Sequence, residues 1–95
     1  MAIIYQAFDV GESTLKVHVT RVADLAPLWV CMVPNRALAH RPGCWYATTN
    51  FSEARYRIFF GDWGPADLTV FFVDEWGRAG WQREVGLKGF HGRGL

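Results

Sequence analysis

A chain of 95 residues with a formal net charge of +1 is long enough for one domain and too short for two. Hydrophobic residues make up 51% and charged residues 20%, which is typical of a globular domain and excludes a disordered or collagen-like chain. The near-neutral balance disfavours nucleic acid and anionic membranes as partners. The uncharged run 25–35 contains two prolines and is too short for a membrane helix, and the N-terminal residues lack the pattern of a secretory signal. We therefore expect a cytoplasmic protein without membrane association.

The chain repeats a unit of about twelve residues. Residues 50–61 align with residues 62–73 in almost every position, further copies start at Asp9 and Asp74, and two degenerate copies fill the middle. About six units result. Each clear unit opens with Asp or Asn, whose short side chain bonds to backbone amides two residues on and initiates a turn. The turn is followed by alternation of apolar and other residues.

The alternation predicts strands at 15–19, 56–60 and 68–72, because a period of two places every second side chain on the same face. The opposite face of each strand starts polar and ends aromatic, at Phe59 and Phe71, so we expect burial on both faces at the strand ends. Short helical turns are expected at most near Leu25 and Ala37. The predicted fold is a small, mostly β domain with little helix, either a compact barrel or a meander.

The last ten residues differ from the repeats. We predict a single β-repeat domain over residues 1–85, followed by a glycine-rich basic tail over 86–95. A flexible terminus is one interpretation of this tail. A threaded segment that needs small residues, or a weak phosphate contact, are the others.

The repeats resemble those of a known family. Residues 62–68 are Asp-Trp-Gly-Pro-Ala-Asp-Leu, residues 72–74 are Phe-Val-Asp, and residues 79–81 are Ala-Gly-Trp. This pattern is similar to that of a family of short microbial proteins of unknown function. The resemblance implies a small β fold whose backbone forms a deep, seven-crossing torus knot (a septafoil). It covers nearly the whole chain and implies no catalytic residues.

Two cysteines and a nearby histidine, Cys31, His40 and Cys44, are the first candidates for chemistry. Zinc takes four ligands from Cys and His, usually including a close pair, and here a fourth would have to come from His18 or His91. The same residues could instead serve a cysteine nucleophile, with Cys44 beside His40. Because the spacing fits neither site well, we expect small buried thiols, free or joined in one bridge, with no metal or cofactor.

The acidic residues Asp62, Asp67 and Asp74 recur with the repeat, which favours a structural role in turns or strand pairing over an acid–base pair. Arg55 and Asp67 occupy equivalent places in successive units. If their strands are neighbours, an ion pair between them is expected.

The aromatic residues, 16% of the chain, are interpreted mainly as core. Trp63 and Trp76 lie in turns, where rings reach solvent, and are candidate ligand-binding residues. Arg55 and Arg57 flank Tyr56 in a pattern found in single-strand nucleic-acid platforms, although alternation places Tyr56 on the apolar face and nearby acids cancel the field.

The absence of a clustered catalytic set favours a non-enzymatic structural or interaction module, whose knotted fold would give kinetic stability. A small Cys/His-dependent or metal-binding enzyme is the alternative, and a small-ligand or single-strand nucleic-acid binder is a further one. The partner is not indicated by the sequence, and we expect a monomer or a weak homo-oligomer.

Overall fold

The computed structural model describes residues 2–61, 66–83 and 95. Seven strands are present in this part of the chain, and all but the last have four or five residues. Their bounds are Ala2–Gln6 (β1), Leu15–Val19 (β2), Leu28–Met32 (β3), Cys44–Ala47 (β4), Tyr56–Phe60 (β5), Leu68–Phe72 (β6) and Gly80–Trp81 (β7). The three strands predicted from alternation are confirmed as β2, β5 and β6.

Single turns of 3₁₀ helix follow five of the strands. They are Val10–Glu12 (η1), Ala23–Leu25 (η2), Arg36–Leu38 (η3), Phe51–Glu53 (η4) and Trp76–Arg78 (η5). The short turns expected near Leu25 and Ala37 are present as η2 and η3, whereas η1, η4 and η5 exceed the number predicted. The fold is mostly β, as predicted.

The expected turn chemistry is present at two of the unit openings. The side-chain oxygen of Asp9 accepts a hydrogen bond from the amide of Gly11 at 2.9 Å, and that of Asn50 accepts one from Ser52 at 3.1 Å. Asn35 makes no such bond, although it also precedes a 3₁₀ turn. This opening is in one of the degenerate units, where the sequence pattern is least regular.

The strands form a ring in the order β4-β1-β5-β2-β6-β3-β7, and an additional β3–β4 pairing closes it. All pairings are parallel except that of β7 with β3. The meander predicted as one alternative is wrong, because β3 and β4 are the only consecutive strands that pair among the described residues. The closed barrel is confirmed.

The ring order shows how the chain winds. Apart from β3 and β4, which pair directly, successive strands lie two places apart, so that β5 inserts between β1 and β2, and β6 between β2 and β3. The chain therefore circles the barrel twice, and the second circuit fills the gaps left by the first. Because β1 to β6 are parallel, each connection between them must return from the carboxyl end of one strand to the amino end of the next.

The connections return across the outside of the barrel where the contacts are described. Phe51 of η4 packs edge-on against Tyr5 on β1, with ring centroids 5.3 Å apart, and η5 contacts β3. A connection of the second circuit thus covers a strand of the first. This arrangement gives the sheet a second, outer apolar layer.

The inner layer is the main core, formed by side chains that alternate inward from six strands. Its buried members are Ala2, Ile4, Leu15, Val17, Leu28, Val30, Trp45, Ile58, Leu68, Val70 and Leu95. Tyr56 packs against this core, as alternation predicted. The expected burial on both faces at the strand ends is wrong: Phe59 and Phe71, on which it rested, are only half-buried, and Phe72 is 39% exposed.

The ion pair expected between Arg55 and Asp67 is not formed by neighbouring strands, because β2 lies between β5 and β6. Asp67 bonds instead to the backbone of Lys16: its carboxylate accepts from the Lys16 amide at 2.8 Å, and its own amide donates to the Lys16 carbonyl at 2.9 Å. Asp67 therefore has the structural role in strand pairing that its recurrence predicted. Asp62 lies outside the described residues.

The backbone is closely packed at the β3–β4 seam. Gly43, at the start of β4, adopts a φ of 82°, and a Cβ there would lie 2.4 Å from the nitrogen of Gly80 on β7. Its amide donates to the backbone oxygen of Leu95 at 2.6 Å, and the indole of Trp45 donates to the same oxygen at 2.9 Å. Leu95 is 1% exposed, so this residue of the predicted tail is part of the core.

Candidate functional site

Cys31 and Cys44 are brought together by the seam. They are register partners on the parallel strands β3 and β4, so their side chains leave the sheet on the same face. That face belongs to the outer apolar layer, where both thiols are free and buried beside Val33, Ala39 and Val73. The sequence separation of the two cysteines gave no sign that they are neighbours.

The surroundings of the two thiols hold them in the neutral form. Burial, with a contribution from the Asp74 carboxylate, raises the pKa of Cys31. Burial and the neighbouring Cys31 raise the pKa of Cys44, and Arg41 partly opposes this shift. A cysteine nucleophile needs the opposite environment, one that favours the thiolate.

His40 is not part of this pair. Its ring nitrogen Nδ1 lies 2.8 Å from the carbonyl oxygen of Ala37, within the same connection, and the residue is exposed. In residues 2–61, 66–83 and 95, no three or more His, Cys, Asp or Glu side chains are grouped as metal ligands. The structure thus joins two of the three candidates and leaves the third at the surface.

Trp76 lies between Val73 and Ala79, two residues of the apolar layer that surrounds the thiol pair. It is the first residue of η5, and the guanidinium of Arg41, from the β3–β4 connection, sits 4.6 Å from the centroid of its ring. This stack links the two segments that contribute Val73 and Ala39 to the outer layer. Trp76 remains 59% exposed, so the ring is accessible to a partner. Trp63, the other tryptophan predicted to bind a ligand, lies outside the described residues.

Two further arginines stack on aromatic rings at the surface. Arg57 lies 4.5 Å from the ring centroid of Phe51, and Arg78 lies 5.5 Å from that of Trp29. Together with Arg41 on Trp76, three guanidinium groups therefore lie over aromatic rings. The sequence did not indicate Arg41 or Arg78 as partners of aromatic rings, because each lies far along the chain from the ring that it covers.

A polar network joins two other connections. Glu53 of η4 forms a salt bridge with Arg36 of η3 and accepts a hydrogen bond from the Thr48 hydroxyl at 2.5 Å. These contacts, led by the bond from Arg36, lower the pKa of Glu53. In the described part of the chain this is the only salt bridge, so the arginines on the aromatic rings make none there.

The geometry defines a class of protein: a small, closed β-barrel of parallel strands whose chain winds round it twice. The model of a protein family described as the 7(1) septoil knot domain matches residues 1–82. The chain belongs to this family, which confirms the knotted β fold implied by the sequence resemblance. Comparison with curated proteins and with solved structures gave no significant match. Among the residues that the structure describes, no helix is long and apolar enough to span a membrane.

Proposed function

We propose that the protein is a non-enzymatic interaction module that presents aromatic side chains from its connections on a kinetically stable, knotted barrel. The observation that carries this proposal is the exposure of Trp76, which is 59% accessible although it belongs to a fold with a small core. Phe51, the first residue of η4 as Trp76 is of η5, is 46% exposed. Arg41 stacks on the ring of Trp76, whereas Phe51 contacts both Arg57 and Tyr5, and the exposed part of each ring is left for a partner.

The surroundings of the titratable groups support a non-enzymatic function. The thiols are neutral and buried, which disfavours the alternative of a Cys/His enzyme, and His40 is not beside either of them. The lowered pKa of Glu53 follows from the salt bridge and hydrogen bond that join two connections. These groups are engaged in the fold, and exposed aromatic residues with arginine are the groups typical of binding surfaces.

A comparison of surface variants tests the proposal. Affinity purification from the protein's own source, with chemical crosslinking, would be carried out for the wild type, Trp76→Ala and Leu25→Ala. Leu25 is the control because it is also in a 3₁₀ turn and is 61% exposed, but has no arginine over it among the described contacts. We expect one partner that is recovered with the wild type and Leu25→Ala and lost with Trp76→Ala. Recovery independent of Trp76, or an activity abolished by Cys44→Ser in a folded protein, would contradict it.

The further alternative is a small-ligand or single-strand nucleic-acid binder that uses Trp76. It is favoured by the guanidinium of Arg41 beside that ring, since a cation next to a stacking surface suits an anionic aromatic ligand. Titration with nucleotides and short single strands, followed by tryptophan fluorescence, distinguishes the two functions. Quenching that disappears in Arg41→Gln and Trp76→Phe would favour the ligand binder.

A further inference from the structure

The thiol pair suggests a site that is independent of the proposed interaction surface. Cys31 and Cys44 are register partners in a parallel pair, and the hydrogen bonds on both sides of them fix the strands. The Cys31 amide donates to Gly43 at 2.8 Å, and the Val33 amide donates to Trp45 at 2.9 Å. The distance between the two side chains is therefore set by the sheet.

This spacing is unfavourable for a disulfide. Neighbouring strands lie about 4.8 Å apart, and register partners keep their Cβ atoms separated by a similar distance. Disulfides usually have a Cβ separation of about 3.5–4.5 Å, which is shorter than this spacing. Closing the bond would pull together two strands at the seam where Gly43 already lies against the backbone of Gly80.

A metal ion bound by both sulfur atoms requires a wider separation of the two side chains than a disulfide does. Thiolate is a soft ligand that suits Cu(I), zinc and iron–sulfur clusters, but structural zinc sites and iron–sulfur clusters take more than two protein ligands. Over residues 2–61, 66–83 and 95, the two sulfurs have no third Cys, His, Asp or Glu grouped with them. This donor set matches the low coordination number that a monovalent soft cation accepts.

We propose that Cys31 and Cys44 form a two-coordinate site for Cu(I), held between the outer face of the sheet and its covering connections. Each thiol releases its proton to solvent as its sulfur binds the ion, so two S–H bonds are replaced by two S–Cu bonds and no electrons are transferred. The bound group carries one negative charge. Arg41 offsets this charge at Cys44, while Asp74 opposes it at Cys31.

Entry of the ion requires a local opening, since Cys44 is fully buried and Cys31 is only 6% exposed. The stack of Arg41 on Trp76 joins the two segments that would separate. Local openings of connections cost less free energy than global unfolding, and so can admit an ion to a folded barrel.

The test is a titration of the reduced protein with Cu(I) under anaerobic conditions, with bicinchoninate as the competing chelator. Stoichiometry would be read by native mass spectrometry and by the ultraviolet thiolate-to-copper absorption. We expect one Cu(I) per wild-type chain and per His40→Ala chain, and none in Cys31→Ala or Cys44→Ala. Near-ultraviolet circular dichroism would establish that each variant is folded. If Cys44→Ala fails to fold, Cys31→Ala alone decides, because a two-coordinate site loses half of its ligands with either residue.

Three results would overturn the proposal. The first is a wild-type protein that takes no copper from a weak competitor. The second is a folded cysteine variant that keeps one Cu(I) with the wild-type affinity. The third is formation of an intramolecular disulfide by the native protein under mild oxidation, because that result would show that the sulfurs approach more closely than the sheet register implies.

Discussion

The indole nitrogen of Trp45 donates a hydrogen bond of 2.9 Å to the backbone oxygen of Leu95, across fifty residues of sequence. Both residues are fully buried and belong to the same core cluster. The amide of Gly43 donates to the same oxygen. Two hydrogen bonds thus join Leu95, the last described residue of the chain, to the seam that closes the barrel.

Leu95→Ala should destabilise the protein. Truncation of a buried leucine loses its transfer free energy and leaves a cavity, so we expect the free energy of unfolding to fall by about 2–5 kcal/mol. Equilibrium denaturation in urea measures the change. Leu25→Ala is the matched control, because Leu25 is 61% exposed and should change stability by no more than about 0.5 kcal/mol. Equal effects of the two variants would contradict burial of Leu95.

Gly43→Ala should be among the most damaging single substitutions. The added Cβ would lie 2.4 Å from the Gly80 nitrogen and 2.5 Å from the Trp29 oxygen, and the φ of 82° is strained for alanine. We expect a loss of more than about 3 kcal/mol, measured by thermal unfolding. At Gly77 a Cβ would meet no atom within 4 Å, so Gly77→Ala is the control and should be neutral or slightly stabilising. A folded Gly43→Ala of wild-type stability would refute the close approach at the seam.

The contacts of Glu53 with Arg36 and Thr48 should make the stability of the fold depend on pH. Because the salt bridge to Arg36 and the bond from Thr48 lower the pKa of Glu53, its stabilising effect is complete above the ordinary carboxyl pKa and is lost as pH falls through the lowered value. Thermal melts of the wild type and Glu53→Gln should therefore differ at neutral pH and converge in acid. Glu12→Gln, at an exposed position in η1, serves as the control. If the difference in melting temperature between the wild type and Glu53→Gln persists unchanged in acid, the stabilisation does not come from the ionised Glu53 carboxylate.

Removal of the Trp76 ring should increase the reactivity of the two thiols. In Trp76→Ala the contact with Arg41 is lost and the two covering segments separate more easily. A thiol-specific reagent added to the native protein should then modify Cys31 and Cys44 faster than in the wild type. Phe51→Ala removes an equivalent ring that packs on Tyr5 of β1, outside the apolar cluster of the cysteines, and should leave the rate unchanged. Equal rates in all three proteins would show that Trp76 does not control access.

Unfolding should be slow, because a chain wound twice round the barrel must be unthreaded as well as unpaired. Ordinary small domains unfold at rates down to about 10⁻⁶ s⁻¹ in water, and we expect this protein to lie at or below that limit. Dilution into guanidinium, followed by tryptophan fluorescence and extrapolated to water, measures the rate. A rate of about 10⁻² s⁻¹ would contradict the kinetic stability in the proposed function.

The sequence by itself determined the local structure. Alternation predicted β2, β5 and β6, because the period of a strand is a property of a few adjacent residues. The turns at Asp9 and Asn50 were predictable for the same reason, since a short polar side chain bonds to an amide two residues away. The repeat and its resemblance also indicated the family that the match over residues 1–82 confirms.

Only the tertiary structure decided which units are neighbours. The expected pair of Arg55 and Asp67 is interrupted by β2, and Cys31 meets Cys44 because the ring closes at β3 and β4. The burial of Leu95 in the core likewise depends on strands far away in sequence. A local period sets which face a side chain occupies, but the order of strands in a ring depends on how the whole chain winds, and near-identical units do not encode that order individually.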